Sequence, residues 1–480
     1  MRTYLSIYLG SAFLALGMTP IIIRLARKID AVDRPGVRTV HVRPIPRVGG
    51  VALFLSTIPL IVIVLFMDNH IGQAFREARM QLIALFGSAT FIFMVGLVDD
   101  LRGLPARFKF LAELLAAGSL CLAGVHISSI SITDQWTLRL GLFSCPLSLL
   151  WIIGITNAVN LSDGLDGLAA GISAITCGVI LMFALQSKNV IMSVFILAIL
   201  GSLTSFLFFN FNPAKIFLGD CGSLFLGYTI ASSSILCSMK SSALVGLALP
   251  VLALGVPIFD TLFSMLRRFL ERRSIFSPDR SHFHHKLIDL GIRQRHVVLL
   301  IYVMTALAAG LGMFMMVTRD TGSWIVFFCI LLLLLLAFQM VGSVKLEAIL
   351  SGLHKKYEMA HQRQHEKMNF EQAQLYFQNA CTFKQWWNAA CEAARRMDFV
   401  WISLKTQELD GSIRTEIWRA ANSPSDQSQI VILTVPINGD GLKRLHEFEI
   451  AISIDGSYES AGYRATLFNR LIDEHAMVCS

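Results

Sequence analysis

Carrying a helix across a bilayer takes about 20 consecutive apolar residues. This chain offers eleven such stretches, near 4–23, 48–67, 80–98, 109–126, 143–159, 168–186, 190–209, 222–239, 242–264, 297–317 and 323–342. No single water-soluble core absorbs that much uninterrupted apolar sequence. Composition agrees: 54% of the 480 residues are hydrophobic and only 15% are charged, where soluble chains carry about a quarter charged. The chain therefore reads as an all-α polytopic membrane protein of about eleven transmembrane helices. Met1–Gly17 has a lone early Arg2 and no small-residue cleavage site before Pro20, so it reads as a retained first span. The nine cysteines form no Cys-x-x-Cys pair, and Cys121, Cys177, Cys237 and Cys329 lie inside apolar runs, which points away from zinc and disulfides. The net charge of +8 suits basic cytoplasmic loops and gives no sign of a nucleic-acid partner.

Loop charge orients the spans. Arg24, Arg27, Lys28, Arg34, Arg38, Arg43 and Arg47 follow the first span, and Arg267, Arg268, Arg272, Arg273, Arg280, Lys286, Arg293 and Arg295 follow the ninth. The basic side is expected to be cytoplasmic, with the N-terminus outside and, for an odd span count, the C-terminus inside. Every polar-rich block then falls on the cytoplasmic face. The opposite loops are short and plain, apart from a small hairpin expected within Val125–Leu142. A transporter's site sits near the midplane between broken helices; chemistry gathered at one face suits an enzyme.

The densest block is Asn157-Ala-Val-Asn160-Leu-Ser-Asp163-Gly164-Leu-Asp166-Gly167, set between two apolar runs. Carboxylates are costly in hydrocarbon, so it reads as a loop and helix start at the membrane surface. Its glycines admit close backbone approach, and its Asn and Asp side chains offer hard oxygens to a cation such as magnesium. A polar turn between two spans is the plain alternative, which the density of polar groups disfavours. Asp99 and Asp100 close the third span beside Arg102, Arg107 and Lys109. They read as a metal-binding or proton-accepting pair. In Gly219-Asp220-Cys-Gly222-Ser223 a single carboxylate stands between glycines, a weak signal alone but one that suits magnesium. Ser277-Pro-Asp-Arg280-Ser-His282-Phe-His284-His285-Lys286 lacks a second cluster for zinc, and reads as a phosphate-contacting loop. Magnesium ligands beside many cations are what a reaction among several phosphates requires.

These blocks, with Asp33-Arg-Pro, His41-Val-Arg-Pro-Ile-Pro46-Arg47-Val-Gly49-Gly50 and Pro257-Ile-Phe-Asp260-Thr, occur in the order seen in one family. The chain resembles the polyprenyl-phosphate N-acetylhexosamine-1-phosphate transferases, glycosyltransferase family 4, over about residues 1–343. That resemblance implies transfer of a sugar-1-phosphate from a UDP-sugar to undecaprenyl phosphate, with release of UMP, in the bacterial cytoplasmic (inner) membrane. It implies Mg2+, with Mn2+ as the alternative ion, held by Asn160 and Asp220. It further implies that Asp166 contacts the uracil, that Asp99 and Asp100 act around the attacking lipid phosphate, and that Lys109 binds that phosphate. His282, His284 and His285 with Arg280 would line the donor's sugar-phosphate side. Asn157 and Arg47 are expected to bind substrate, and Asp163 and His284 to be catalytic. His-Phe-His-His is closer to the GlcNAc-1-phosphate branch than to the MurNAc-pentapeptide branch, and Cys221 is a modest departure from the family pattern. Another UDP-N-acetylated sugar keeps the same chemistry. A lipid-phosphate transporter or flippase is the reading from a different class.

From Val344 the character changes. Residues 344–396 read as a helical linker and 397–480 as a small cytoplasmic α+β domain, with strand-like runs at Val400–Leu404, Ile413–Arg419, Gln429–Pro436 and Glu447–Ile454 and a closing helix from about Ala461 to Glu474. This tail is expected to regulate or to assemble the enzyme, for instance as a homodimer through the helix at Lys345–Leu353.

Overall fold

The computed structural model describes residues 2–34, 44–131, 137–238, 248, 250–270, 282–318, 322–341, 346–407, 412–421, 430–438, 445–453 and 458–475. The chain divides into two compact units, Met1–Leu346 and Glu347–Ser480.

In the first unit the helices are α1 (Arg2–Lys28), α2 (Gly49–Leu65), α3 (His70–Glu77), α4 (Arg79–Arg102), α5 (Ala106–Leu122), α6 (Ser144–Leu161), α7 (Leu168–Gln186), α8 (Val190–Asn210), α9 (Gly219–Ser238), α10 (Gly255–Leu270), α11 (Phe283–Asp289), α12 (Gln294–Thr318) and α13 (Gly322–Met340). Among the described residues seven helices are long and apolar enough to cross a membrane, or eight if α2 and α3, bent by 97°, count as one span. The molecule is thus a multi-pass membrane protein, with fewer qualifying spans than the eleven expected. The difference has local causes. α5 is only 17 residues long and carries Lys109 and Glu113. α2 ends at Leu65, near the end of the run 48–67, and the chain turns into α3 at Asn69, which accepts the N–H groups of Ile71 (3.0 Å) and Gly72 (2.9 Å). The expected span 242–264 lies partly outside the described residues, and α10 instead covers Gly255–Leu270 with Arg267 and Arg268 in its last turn. The hairpin pairs Ser129–Ser131 with Thr137–Arg139 in antiparallel register.

α9 is the axis of the bundle. Every residue from Cys221 to Ser238 is buried, with α2, α4, α6 and α7 packed around it. Small residues allow this: a Cβ on Gly227 would lie 2.7 Å from the Cα of Thr156, so the backbones of α9 and α6 touch. Ser223, Ser232, Ser234 and Ser238 return their hydroxyls to carbonyls about one turn back, as Ser232 does to Tyr228 O at 2.7 Å, while the buried Ser233 hydroxyl has no partner among the described residues. Tyr228 donates to Ala116 O at 3.0 Å and sits 2.6 Å from Ser88 Oγ. A buried hydroxyl left without a partner costs about 1–3 kcal/mol, so these bonds offset most of the cost of burying the polar side chains of α9. Large apolar side chains such as Phe91, Phe108, Leu115 and Leu307 point outward and are exposed, as a lipid-facing surface requires.

In the second unit, a 33-residue helix (Leu346–Gln378) precedes Phe383–Arg396. The expected single polar helix breaks there because Thr382 caps the second one, accepting Gln385 N at 3.3 Å. Four strands, Phe399–Gln407, Ile413–Arg419, Ile430–Asn438 and Leu445–Ser453, form an antiparallel sheet in the spatial order second, first, fourth, third. Trp386, Phe399, Phe448 and Phe468 centre a core shared by the sheet and the helices Phe383–Arg396 and Tyr458–Glu474.

Candidate active site

A helix begins with backbone N–H groups that have no partner inside the helix. At the start of α9 they are met by Asp100, at the far end of α4: one carboxylate oxygen accepts Asp220 N and the other Cys221 N, each at 2.9 Å. A carboxylate at a helix N-terminus is favoured by the helix dipole as well. The approach to α9 is strapped down from a third direction. Phe217 N donates to Pro46 O at 2.7 Å, Gly49 N to Phe217 O at 2.9 Å and Gly50 N to Leu218 O at 2.8 Å. Arg47 lies in that strap, and its Nε is buried without a partner among the described residues. Blocks some 50, 100 and 220 positions into the chain therefore converge on one carboxylate, Asp220.

Asp220 receives Asn160 Nδ2 at 2.7 Å on one oxygen and Lys109 Nζ at 3.1 Å on the other. Asn160 also donates to Ser223 Oγ at 2.8 Å, and Lys109 to Asp99 at 2.8 Å. The second oxygen of Asp99 accepts Leu104 N. Asp163 joins through the N–H of Gly219; burial first, then the negative field of Asp220 and Asp100, pushes its carboxyl up to about 8. Asp99, Asp100, Asp163 and Asp220 thus share one nest in which Lys109 is the cation in direct contact. An excess of anionic oxygen donors fits a hard divalent cation. No group of three or more His, Cys, Asp or Glu among the described residues is arranged to hold a metal alone. An ion here would complete its shell from substrate phosphate and water, as magnesium commonly does. The Asn160 amide would have to turn its oxygen inward to serve as a ligand.

Beside the nest, Asp166 ties down the loop leading to α9, accepting Asn212 Nδ2 at 2.9 Å and Ala214 N at 3.0 Å on one oxygen. The Tyr302 hydroxyl donates to Gly167 O at 2.5 Å. The histidine block arrives on α11. Asp260 of α10 accepts Phe283 N at 2.8 Å and faces His282 Nδ1 at 3.1 Å. His284 Nε2 would lie 2.9 Å from a Cβ on Gly164, which places α11 against the Asp163–Gly167 loop. Burial, reinforced by the other two histidines and opposed by Asp260, drives His284 down to about 3. It is neutral at working pH, so it would meet a phosphate by hydrogen bonding and not as a cation.

The structure brings together Arg47, Asp99, Asp100, Lys109, Asn160, Asp163, Asp166, Asp220 and His284. Asn157 stands one helical turn deeper, hydrogen-bonded to Glu113. His285 is half-buried on α11, with its ring 4.5 Å from that of His284, and Arg280 lies outside the described residues. Two participants were missed by sequence reasoning. Asp260 was quoted in a motif but given no role, although a carboxylate before a histidine block is an orienting partner to look for. Glu113 sits in an apolar run, where any charge is a signal.

Nested carboxylates, a bridging lysine and a block of histidines gather at one end of a membrane bundle, an arrangement suited to phosphate chemistry. The comparisons make this specific. Residues 82–238 match the model of glycosyl transferase family 4. The chain is 38% identical over 340 residues, 70% of this chain and 90% of the relative, to a probable undecaprenyl-phosphate N-acetylglucosaminyl 1-phosphate transferase of Bacillus subtilis. It is 34% identical over 333 residues, 63% of this chain and 81% of the relative, to a decaprenyl-phosphate N-acetylglucosaminephosphotransferase of Mycobacterium leprae. An undecaprenyl-phosphate alpha-N-acetylglucosaminyl 1-phosphate transferase of Yersinia pestis shares 27% identity over 66% of this chain and 85% of its own length. The chain belongs to glycosyl transferase family 4.

Proposed function

We propose that this protein transfers GlcNAc-1-phosphate from UDP-GlcNAc to undecaprenyl phosphate, releasing UMP and leaving a diphosphate-linked lipid that starts a cell-surface glycan. The observation that carries the reading is the Asp220 nest, held by Asp100, Asn160 and Lys109, in a chain whose relatives are named for this transfer. Membranes containing the protein should exchange labelled UMP with UDP-GlcNAc, and a panel of UDP-sugars should rank UDP-GlcNAc first. A protein that moves lipid phosphate without UMP exchange is a transporter, and the reading fails.

In the proposed reaction an oxygen of the lipid phosphate attacks the β-phosphorus of the donor, and the bond from that phosphorus to the bridging oxygen breaks. UMP leaves with the electron pair. Asp220 and Asn160 would hold Mg2+, or Mn2+ in its place, and the ion would supply neutralisation of charge developing on the phosphates. Lys109 would neutralise the lipid phosphate, and Asp99, whose oxygen Lys109 engages, would take its proton. Asp100 holds the two backbone N–H groups that open α9, so its role is to position Asp220. Asp163 would carry a second proton-holding carboxyl at the donor. Arg47, Arg280, His282, His284 and His285 would line the sugar diphosphate, with Asp260 orienting the histidines.

Asp166 would face the uracil with the oxygen not spent on the 212–214 loop. Asp166→Ala is therefore expected to raise KM for UDP-GlcNAc by about tenfold, the worth of one charge-assisted hydrogen bond. An unchanged KM with a collapsed kcat would remove Asp166 from base recognition.

We place the site and residues 344–480 on the cytoplasmic side of the inner membrane, on the strength of the basic loops. A cysteine at Ser281 should then be shielded from an impermeant thiol reagent in intact cells, and one at Thr133 should react; the reverse pattern overturns the orientation. Residues 1–343 are the proposed catalytic domain, 344–396 a linker whose segment 345–353 would pair in a homodimer, and 397–480 a regulatory or interaction domain. A chain ending at Ser343 is expected to insert and retain UMP exchange, with an altered oligomer size on gel filtration. A well-folded but inactive truncation would make the tail part of the catalytic unit.

A further inference from the structure

Glu113 is 3% exposed in the apolar stretch of α5 that follows Lys109. An ionisable group at membrane depth is retained only with a partner and generally marks function. Its partner is Asn157 of α6, which donates Nδ2 to Glu113 Oε2 at 2.5 Å and also to Ile153 O at 2.9 Å. Both amide hydrogens of Asn157 are thereby used. Its carbonyl oxygen has no partner among the described residues, and neither has the second oxygen of Glu113. A neutral apolar pair would pack α5 against α6 at less cost, because a buried charge gives little net stability.

The depth of the pair identifies what it serves. Glu113 is four residues beyond Lys109 on α5, and Asn157 is three before Asn160 on α6, each about one turn, or roughly 5–6 Å, further into the bundle. The Glu113–Asn157 contact therefore forms a layer beneath the Lys109–Asp220–Asn160 cluster, on its hydrocarbon side. A water-soluble nucleotide sugar reaches that cluster from the aqueous side. A lipid phosphate, whose chain stays in the bilayer, has to lie across the deeper layer. Free carbonyl and carboxylate oxygens there accept a proton-bearing oxygen and repel a bare dianion, so they fit the P–OH of a monoanionic phosphomonoester.

We propose that Glu113 is a positioning residue for the polyprenyl phosphate, fixing the Asn157 amide so that its carbonyl oxygen receives the P–OH of the lipid phosphate on binding, before that proton passes to Asp99 in the reaction; this rests on the transfer reaction proposed above. The test uses full-length protein in detergent, with steady-state kinetics for both substrates and equilibrium binding of undecaprenyl phosphate measured without donor. Glu113→Ala is expected to raise both KM and Kd for undecaprenyl phosphate by about tenfold, the equivalent of one lost hydrogen bond, while KM for UDP-GlcNAc stays within about twofold. Glu113→Gln keeps a carbonyl for the same amide N–H and should bring the lipid KM back to within about threefold of wild type. Asn157→Ala should match Glu113→Ala, and the double variant should be no worse than either, because the residues act as one unit. If Glu113→Ala does not fold, Asn157→Ala and Glu113→Gln carry the comparison. A rise in the UDP-GlcNAc KM instead, effects of the two single variants that multiply in the double, or lost thermal stability with unchanged lipid KM and Kd would each overturn the proposal. Wild-type protein that binds undecaprenyl phosphate through this pair yet transfers no sugar phosphate would overturn the transfer reading and leave the pair's assignment standing.

Discussion

Replacing Asp220 with asparagine is expected to lower kcat by about a thousandfold, because several kcal/mol of charge stabilisation at the diphosphate are lost and each 1.4 kcal/mol is a factor of ten. The substitution is nearly isosteric, and most of the architecture around it does not depend on the charge. Asp100 caps α9 through the backbone N–H groups of Asp220 and Cys221, which the variant keeps. The side-chain oxygen that accepts Asn160 Nδ2 also survives. What disappears is the anionic oxygen facing Lys109, and with it the donor set for a divalent ion. Two measurements separate this from misfolding. Millimolar Mg2+ should raise the Tm of the wild-type protein, since a ligand at about a hundred times its Kd adds about 2.7 kcal/mol to stability, and should leave the variant nearly unchanged. The variant's own Tm without the ion should stay close to wild type. Full turnover of the variant at low Mg2+ would take Asp220 out of the metal site.

What could be read from the linear chain, and what could not, divides along contact distance. The ordered polar blocks were legible because each places Asn, Asp or His next to glycine in otherwise apolar sequence, and such residues are unaffordable in lipid without a purpose. Asp99 and Asp100 looked equivalent in sequence. Only their partners separate them: Asp100 spends both oxygens on backbone N–H groups 120 positions away, while Asp99 shares Lys109 with Asp220. Seven or eight of the eleven apolar windows correspond to qualifying helices among the described residues; a window does not register the 97° bend between α2 and α3, nor that α5 ends after 17 residues. Glu113 escaped notice because hydropathy averaged over a window hides one charge among leucines and alanines. In the second unit the alternation of apolar and polar residues marked all four strands. The sheet order, with the first and last strands paired at its centre, depends on contacts some 50 residues apart that no local pattern encodes.

The second large effect is expected at Gly219, the residue that turns the chain into α9. It adopts φ +74°, and a Cβ added there would lie 1.9 Å from Arg47 O and 2.7 Å from Asp100 Oδ2. Alanine at this position meets two separate penalties. The left-handed backbone costs about 1–2 kcal/mol for a residue with a side chain. Relieving the clash costs about 1–3 kcal/mol more, because neither obstacle is free to move: Arg47 lies in the strap that binds Gly49 and Gly50 to Phe217 and Leu218, and Asp100 is pinned by α9 itself. The alanine must therefore push the strap or the cap away from the start of α9, and either shift carries Asp220 with it. Since a displacement of about 1 Å at a reacting group costs about a hundredfold, Gly219→Ala should lose at least that much turnover as well as several degrees of Tm. Gly103 provides the matched control. It closes α4 with φ +71°, and an added Cβ meets nothing within 4 Å. Gly103→Ala carries the backbone penalty alone, so it should lower Tm modestly and keep turnover within a few-fold of wild type. If the two alanine variants proved equally active, the convergence of Arg47, Asp100 and Gly219 would not be what aims Asp220, and the positioning role assigned to Asp100 would fall with it.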